Sequence, residues 1–300
     1  MGDEKATTVE PSDHPFLSSF LRNWSVPVLY LAVLVAAYVR FGFLFQFTLG
    51  AVWLVVIPVI AYVARSREFL RNSLFVVTLL LSYEALQGVT GELVHSGNVA
   101  SLASVDMAVF GFNLGAAVQN LFASTTMTLV ATIFYSVHVY LVVAALIAFW
   151  FASRKIYQGY AYSMVLTSYL ALMTFILMPT APPWFVGTAQ NLLPAGTSLL
   201  PSGAQAVQQA LLAIESDKLA AFPSLHGAYV TLFAVYAFRV GRKWGLAALV
   251  LVFGVFFSTI YLGQHYVMDL VGGVAYSLAA VFVVDRLVSR HPTMPRAHSV

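Results

Sequence analysis

Residues 244–287, WGLAALVLVFGVFFSTIYLGQHYVMDLVGGVAYSLAAVFVVDRL, contain two long apolar runs separated by a short polar break. A membrane-spanning helix needs about 20 mainly apolar residues, and each run is close to that length. The segment therefore predicts transmembrane helices over 244–262 and 267–287. Around the break lie Gln264, His265 and Asp269, polar side chains that usually serve a site when they occur at membrane depth.

The whole chain has the composition of a helical membrane protein. Of its 300 residues, 60% are hydrophobic and 9% are charged, whereas an ordinary soluble domain has about 25% charged residues. It contains no cysteine, which excludes disulfides, thiolate catalysis and thiolate metal sites. The net charge of +3 arises mostly from short loops, so it indicates membrane topology and not a nucleic-acid partner.

Apolar runs along the chain predict about eight transmembrane helices, and hence an all-α integral membrane protein. The predicted spans are 24–39, 43–64, 73–90, 127–151, 160–178, 223–239, 244–262 and 267–287. Residues 1–23 lack the basic flank of a secretory signal peptide, so we expect an attached, disordered N-terminal tail. Residues 291–300 form a second polar tail.

The basic residues segregate when the loops alternate across the membrane. Of the 15 Lys and Arg residues, 13 fall on one side, and only Arg40 and Lys218 remain opposite. The 13 are Lys5, Arg22, Arg65, Arg67, Arg71, Arg154, Lys155, Arg239, Arg242, Lys243, Arg286, Arg290 and Arg296. This positive-inside pattern predicts a multi-pass membrane protein with both termini cytoplasmic. We expect the membrane to be the plasma membrane, although the outer side could equally be periplasmic, extracellular or lumenal. The two long connections, 91–126 and 179–222, then lie on the outer face, where we expect the functional site.

The two long connections carry helical patterns of their own. Val99 to Phe122 is mildly apolar with interspersed polar residues, which predicts a helix lying along the interface, either as part of the site or as a simple lid. In the second connection, Pro194 to Gly203 is rich in Pro and Gly, and Ser202 is a plausible N-cap. Apolar residues at helical spacing follow it, which predicts a short surface helix.

Polar residues collect at the outer ends of three predicted helices, in the segments 179–184, 222–227 and 258–269. His265 and Asp269 are four residues apart, a spacing that places them on one side of a continuous helix. There the carboxylate can hold the imidazole tautomer. His226 follows Pro223 and Ser224 at a predicted helix start, where backbone amides favour an anion. Two histidines, a carboxylate and an anion site are the groups that phosphoryl transfer through phosphohistidine requires.

These segments resemble the type 2 phosphatidic acid phosphatase superfamily over roughly residues 73–290. Its signatures are K-x6-R-P, P-S-G-H and S-R-x5-H-x3-D; residues 223–226 match the second and residues 258–269 the third. Thr259 replaces the arginine of the third motif, Leu225 replaces the glycine of the second, and the first motif is absent. The sequences Pro-Thr-Ala-Pro-Pro-Trp and Tyr-Leu-x-x-His-Tyr-x-x-Asp look like the inositol phosphorylceramide synthase branch, the inositolphosphotransferases.

The resemblance implies both an architecture and roles for individual residues. It implies a six-helix catalytic domain over residues 67–290, preceded by a two-helix extension over 24–66. It implies that His265 is the nucleophile, Asp269 its orienting carboxylate, and His226 the acid that protonates the leaving group. Ser224 would bind phosphate oxygens. The other residues expected to line the substrate site are Tyr261, Pro182, Pro183 and Trp184.

The resemblance implies no cofactor and no metal, and its substrate is a phospholipid or lipid phosphate. The acceptor is left open between water, which makes the protein a lipid phosphatase, and a polyol or ceramide-like lipid, which makes it a transferase. The missing phosphate-binding cations leave three substitutes: backbone amides near His226, the Tyr261 hydroxyl, or Arg40 and Lys218 folding over the site.

Three other classes of function compete with this one. Two histidines and an aspartate suit zinc. A transporter is suggested by Glu84 and His138 inside predicted spans, although the polar residues gather at one face and do not trace a path across the membrane. An inactive scaffold is compatible with the missing Arg and Lys residues. A retinal photoreceptor is disfavoured because the predicted spans contain no lysine for a Schiff base.

Overall fold

The computed structural model describes residues 100–214 and 219–290, together with the single positions 69, 72, 73, 76, 79, 80 and 83. Within this part of the chain the regular elements are helices, and the β-structure consists of isolated bridges. The helices are α1 (Ala103–Phe110), α2 (Leu114–Phe122), α3 (Thr125–Ala152), α4 (Arg154–Leu177), α5 (Leu193–Ser198), α6 (Ser202–Ile214), α7 (Leu225–Val240), α8 (Arg242–Tyr261) and α9 (Val267–Arg290).

Three of these helices are long and apolar enough to cross a membrane, namely α4, α8 and α9 over Val267–Leu287. The two halves of α3, Thr125–Val137 and Tyr140–Ala152, add a fourth if they form one span, and α7 is a shorter apolar helix. The described part of the chain is therefore all-α and has the apolar helices of a multi-pass membrane protein, as the sequence predicts. The spans predicted at 24–39 and 43–64 lie outside the described residues, and the span at 73–90 is described only at isolated helical positions.

The described long helices lie close to their predicted ranges, with one clear difference. The helix predicted over 160–178 begins at Arg154 and ends at Leu177. Its first turns contain Arg154, Lys155 and Gln158. These polar residues lower the local hydropathy, so a search for apolar runs places the start of the helix too late. The aromatic rings of Tyr157 and Tyr160 are nonetheless buried against other helices, and this packing extends the helix past its apolar run.

The two long connections fold differently from their predictions in detail. The single helix expected over 99–122 is two helices, α1 and α2, because Gly111 adopts the left-handed conformation with φ 75° and Asn113 caps α2. The Pro/Gly-rich stretch contains the short helix α5, with Pro194 in its first turn. Ser202 is the first residue of α6 and not its N-cap, because the Pro201 carbonyl already accepts from the Gln205 amide.

The main hydrophobic core lies at the end of the bundle where α3 ends, α4 begins and α7 ends. It is built from large rings, including Phe149, Trp150, Tyr160 and Tyr236. Gly159 admits the Tyr236 ring, since a Cβ at that position would lie 2.7 Å from a ring carbon. Hydroxyl pairs also join α4 to α7 and α9: Ser163 with Tyr236 at 2.9 Å, which is buried, and the partly buried pairs Ser168 with Tyr229 at 2.8 Å and Thr174 with Tyr276 at 2.7 Å. Such interhelical hydrogen bonds stabilise helix packing in apolar surroundings.

Three connecting segments converge at the other end of the bundle, which we call the site end. Thr180 forms parallel bridges to both Ala100 and Ala220. Its hydroxyl also accepts from the Phe222 amide at 2.7 Å. This ties the segment after α4 to the chain entering α1 and to the chain entering α7. The convergence sets the position at which α7 begins, next to the segment that joins α8 to α9.

Candidate active site

His265 is the centre of a buried polar chain at the site end. Its Nε2 lies 3.3 Å from His226 Nδ1, and its Nδ1 lies 3.4 Å from Asp269 Oδ2. The exposed fractions are 7% for each histidine and 0% for Asp269. The structure thus brings together the three residues that the sequence assigned to catalysis.

The local geometry of His265 differs from the predicted one. The sequence placed His265 and Asp269 on one face of a continuous helix, whereas α8 ends at Tyr261 and α9 begins at Val267. The chain turns at Gly263, which has a φ of 75° and which could not carry a Cβ because that atom would lie 2.3 Å from the Gln190 carbonyl oxygen. The His265 amide then donates to the Thr259 carbonyl at 3.2 Å. His265 therefore sits just before α9 and meets Asp269 across the first turn of that helix.

Asp269 joins α9 to the start of α7. Its Oδ2, the atom facing His265, also accepts from the Tyr266 amide at 2.8 Å, and its backbone carbonyl accepts from the Ser224 amide at 2.9 Å. Its Oδ1 is buried and has no hydrogen-bond partner among the described residues. A buried carboxylate is costly unless an opposite charge compensates it, and the facing imidazole of His265 carries such a charge only when it is protonated.

His226 is fixed by the first turn of α7. Ser224 is the N-cap, and its Oγ accepts from the Gly227 amide at 3.3 Å. The His226 ring packs on the Tyr135 ring of α3, with centroids 4.3 Å apart. The cap and the ring contact together orient the imidazole toward His265. The Ser224 hydroxyl proton can still be donated to another group, since only its oxygen is used by the cap.

Two polar residues at the site escaped the sequence analysis as site residues. Asp106 of α1 accepts from the Val267 amide at 3.0 Å and from the Met268 amide at 3.2 Å. Gln119 of α2 donates to the carbonyls of Gln190 and Tyr261 at 2.8 and 2.9 Å. For Asp106 the sequence did contain a signal of a site role, because it is the one ionisable residue between positions 99 and 122.

Comparison with known proteins identifies the family. The family model described as PAP2 superfamily matches residues 100–283, which is more than half of the 300-residue chain. The chain belongs to the PAP2 superfamily. It is also similar to a phosphoinositol dihydroceramide synthase from Bacteroides thetaiotaomicron, with 26% identity over 136 residues, which is 42% of this chain and 44% of that relative. The chain thus aligns with less than half the length of that relative. No solved structure matches it significantly.

These matches confirm the resemblance inferred from the motifs, both to the superfamily and to its inositol phosphorylceramide synthase branch. The matched range begins at residue 100 and contains every residue assigned to the candidate site. The roles of those residues remain predictions, to which the geometry adds positions and contacts.

The position of the superfamily's missing arginine is buried and neutral. Thr259 has an exposed fraction of 0%, and its hydroxyl donates to the Phe256 carbonyl at 3.0 Å. Every Lys and Arg that the structure describes lies at the opposite end of the bundle: Arg154, Lys155, Arg239, Arg242, Lys243, Arg286 and Arg290. The suggested substitutes Arg40 and Lys218 lie outside the described residues, as do Glu84 and the side chain of His138.

The residues predicted to line the substrate site lie either in the segment 182–184, next to His265, or between helices. Pro183 lines a small cleft together with His265, Asp106, Asn113 and Thr188. Both Pro183 and its neighbour Pro182 are buried. Trp184 is half-buried, and its amide donates to the Gly263 carbonyl at 3.1 Å, which attaches the segment 182–184 to the turn before His265.

Tyr261 is the predicted lining residue that lies between helices. Its ring is 1% exposed, and its hydroxyl lies 2.9 Å from the Thr128 hydroxyl of α3. This contact packs α8 against α3.

The donor groups at the site do not form a metal cluster. Within the described part of the chain, no three His, Asp or Glu side chains are arranged to hold one ion. The second carboxylate near His265, Asp106, already accepts two backbone amides of α9.

Proposed function

We propose that this chain is a membrane phosphoryl-transfer enzyme that acts on a lipid phosphate or phospholipid head group through a phosphohistidine at His265. The observation that carries the proposal is the contact chain from Asp269 Oδ2 through both nitrogens of His265 to His226 Nδ1, with distances of 3.4 and 3.3 Å. A carboxylate on one imidazole nitrogen favours the tautomer that has its lone pair on the other. Nε2 of His265 is then the nucleophile.

The first step forms the phosphoenzyme. His265 Nε2 attacks the phosphorus, and the phosphorus–oxygen bond to the leaving group breaks. His226, which enters this step as an imidazolium, gives its Nδ1 proton to that oxygen and becomes neutral. In the absence of substrate the same proton bonds the two histidines, so the substrate phosphate replaces this hydrogen bond when it enters. The His265–Asp269 contact is long for a hydrogen bond, and contacts of this kind tighten in the reacting complex.

The second step returns the phosphoryl group to an acceptor. His226, now neutral, removes the proton of an acceptor hydroxyl, whose oxygen attacks the phosphorus while the bond to His265 Nε2 breaks. An inositol-phosphate transfer to a lipid acceptor is favoured over hydrolysis by the similarity to a synthase named for that product class. With water as acceptor, the same residues act as a lipid phosphatase.

The phosphate-binding group in this proposal is the start of α7. The N-terminus of a helix carries partial positive charge, and the first turn of α7, residues 225–228, contains no acidic residue. The Ser224 hydroxyl adds a donor at the same place. These groups supply part of what the absent arginine and lysine supply elsewhere in the superfamily. Pro183 lines the cleft beside His265, and Trp184 follows it in the same segment.

The proposal includes an arrangement in the membrane. It has eight spans, with the two-helix extension over 24–66 before the catalytic domain over 67–290, and cytoplasmic tails at 1–23 and 291–300. The site end then faces the outside of the plasma membrane. The described cations at the opposite end of the bundle support this orientation by the positive-inside rule.

The test compares wild type with His265→Ala in lipid nanodiscs. The donors are labelled phosphatidate, a polyprenyl phosphate and phosphatidylinositol, each with and without inositol and ceramide. We expect loss of the nucleophile to reduce turnover by more than about 10⁴-fold. His298→Ala, in the predicted C-terminal tail, is the matched histidine control and should retain wild-type rates.

The identity of the product separates the two acceptor classes. Free phosphate that disappears in His265→Ala establishes hydrolysis, whereas a phosphorylated polyol or an exchanged lipid head group establishes transfer. Acid-labile label trapped on wild type and missing from His265→Ala identifies the phosphohistidine. Turnover that survives in His265→Ala, or folded wild type that converts none of the donors, contradicts the proposal.

A further inference from the structure

Asp106 connects α1 to the helix that carries the orienting carboxylate. Its two carboxylate oxygens accept from the first two backbone amides of α9, at 3.0 Å from Val267 and 3.2 Å from Met268. These amides have no partner inside a helix, so an end cap from elsewhere must satisfy them. The bonds cross 161 and 162 residues of sequence, and they are therefore tertiary contacts.

The same carboxylate is the anchor of α1. Asp106 is 6% exposed and is the single buried residue of this fully described helix, while the apolar side chains of Val105, Met107 and Val109 are exposed. An apolar side chain anchors a helix with a smaller desolvation cost than a carboxylate does. The use of a buried carboxylate here indicates that its bonds to α9 matter more than the burial of α1.

The bonds from Asp106 converge with those from Asp269 on one short segment. Asp269 Oδ2 accepts from the Tyr266 amide at 2.8 Å, so carboxylates hold three successive amides, those of residues 266, 267 and 268. The Tyr266 hydroxyl is held as well, at 2.7 Å from the Thr188 hydroxyl. Hydrogen bonds from α1, from α9 itself and from Thr188, in the connection after α4, therefore hold the segment that follows His265 in place.

The geometry points to Asp106 as a positioning residue for the transfer step at His265. By holding the first turn of α9, it keeps Asp269 at the distance and angle that support the His265 tautomer. Its carboxylate also borders the cleft beside His265, so the gap left by its removal is open to small solutes. The inference rests on the proposed function, because it assigns a role in the step that His265 performs.

The experiment measures kcat and KM for Asp106→Asn and Asp106→Ala in nanodiscs, with the donor panel used for wild type and His265→Ala. Misplacement of a reacting group by about 1 Å costs about 10²-fold in rate. We expect kcat to fall about 100-fold in Asp106→Ala and about tenfold in Asp106→Asn, which retains one oxygen acceptor, with KM within about twofold of wild type. Asp285→Asn, at the far end of the same helix, is the matched control and should retain wild-type kcat and KM.

Chemical rescue separates positioning from a merely structural role. Formate or acetate entering the gap in Asp106→Ala can accept from the same amides, so it should restore at least about tenfold in kcat, and chloride at equal ionic strength should not. Thermal unfolding and gel filtration define the folded fraction of every variant.

Three results would overturn the inference. The first is wild-type kcat in Asp106→Ala. The second is a loss of activity that merely follows the folded fraction, and the third is a loss that no carboxylate rescues. Full activity of His265→Ala, or no turnover by folded wild type, would instead defeat the proposed function and this inference with it. The two failures are distinguished by the His265 variant.

Discussion

The first turns of α7 and α9 meet at the candidate site, but groups of different charge cap them. α7 begins after Ser224, a neutral residue that caps Gly227. α9 begins against two carboxylates, those of Asp106 and Asp269, which accept three backbone amides. Because a helix N-terminus carries partial positive charge, the protein itself neutralises the start of α9. The start of α7 keeps its partial positive charge, which in the proposed mechanism attracts the anionic substrate.

This difference suggests how a PAP2 superfamily member with a threonine in place of the motif arginine can hold the nucleophile at one helix start and bind the phosphate at the other. In the proposed mechanism, the α9 side fixes the nucleophile His265 and its orienting carboxylate. The α7 side presents His226 and receives the phosphate in that proposal. The four predictions below test this division, beginning with a change that separates the two helices.

Gly273→Ala should abolish the site by forcing α7 and α9 apart. A Cβ at Gly273 would lie 2.3 Å from the Ser224 carbonyl oxygen and 3.1 Å from the Ala228 amide, and backbone atoms cannot move aside as a flexible side chain can. We expect about 1–3 kcal/mol of destabilisation and turnover near background. Thermal unfolding and the donor assay measure the two effects. Gly203→Ala, where a Cβ meets nothing within 4 Å, is the control; equal effects of the two changes would refute the packing argument.

Asp269→Asn tests the α9 side of the comparison. The variant keeps an oxygen that can accept from the Tyr266 amide and face His265, but it loses the charge that stabilises a positive or phosphorylated imidazole. We expect kcat to fall about 10²- to 10⁴-fold with little change in KM. The quantity to measure is the rate of phosphoenzyme formation in a single turnover. An unchanged rate would show that the carboxylate only holds the helix start.

Two changes at Ser224 test the α7 side, because asparagine and aspartate both cap helices and differ mainly in charge. Ser224→Asp makes the start of α7 resemble that of α9. It should raise KM for an anionic lipid by about tenfold or more through repulsion of the phosphate. Ser224→Asn should stay within about threefold of wild type. Equal KM values for the two folded variants would place the phosphate elsewhere.

The smallest effect is expected at the opposite ends of the same two helices. Arg239 donates two hydrogen bonds to Asp285, at 2.8 and 2.7 Å, and the side chains are 35% and 49% exposed. Solvent screens such a pair, so a double-mutant cycle should give a coupling of about 0.2–1 kcal/mol. Turnover should be unchanged in all three variants. A large loss of turnover would mean that this end of the bundle controls the site.

Much of the local structure was predictable because it depends on nearby residues. The helical ranges from 127 to 287 agree with the apolar runs within a few residues, apart from the early start of α4 at Arg154. The four-residue spacing of His265 and Asp269 correctly predicted proximity, although His265 precedes the helix and does not lie on it. The proximity survives because a helix's third residue can reach back to the segment just before its first turn.

The sequence by itself determined the membrane class, the family motifs and the residues that we propose for catalysis, since hydropathy and short spacings are local properties of the chain. Only the tertiary structure decided that Asp106 caps α9, that Gly111 divides the outer helix, and that Ser224 and Asp269 join α7 to α9. These contacts depend on which helix ends meet in space. A pattern of apolar residues does not determine which helix ends lie next to each other, because one apolar helix face can pack against many others. A buried polar group, in contrast, needs a hydrogen-bond partner at a particular position, and only the tertiary structure shows that partner.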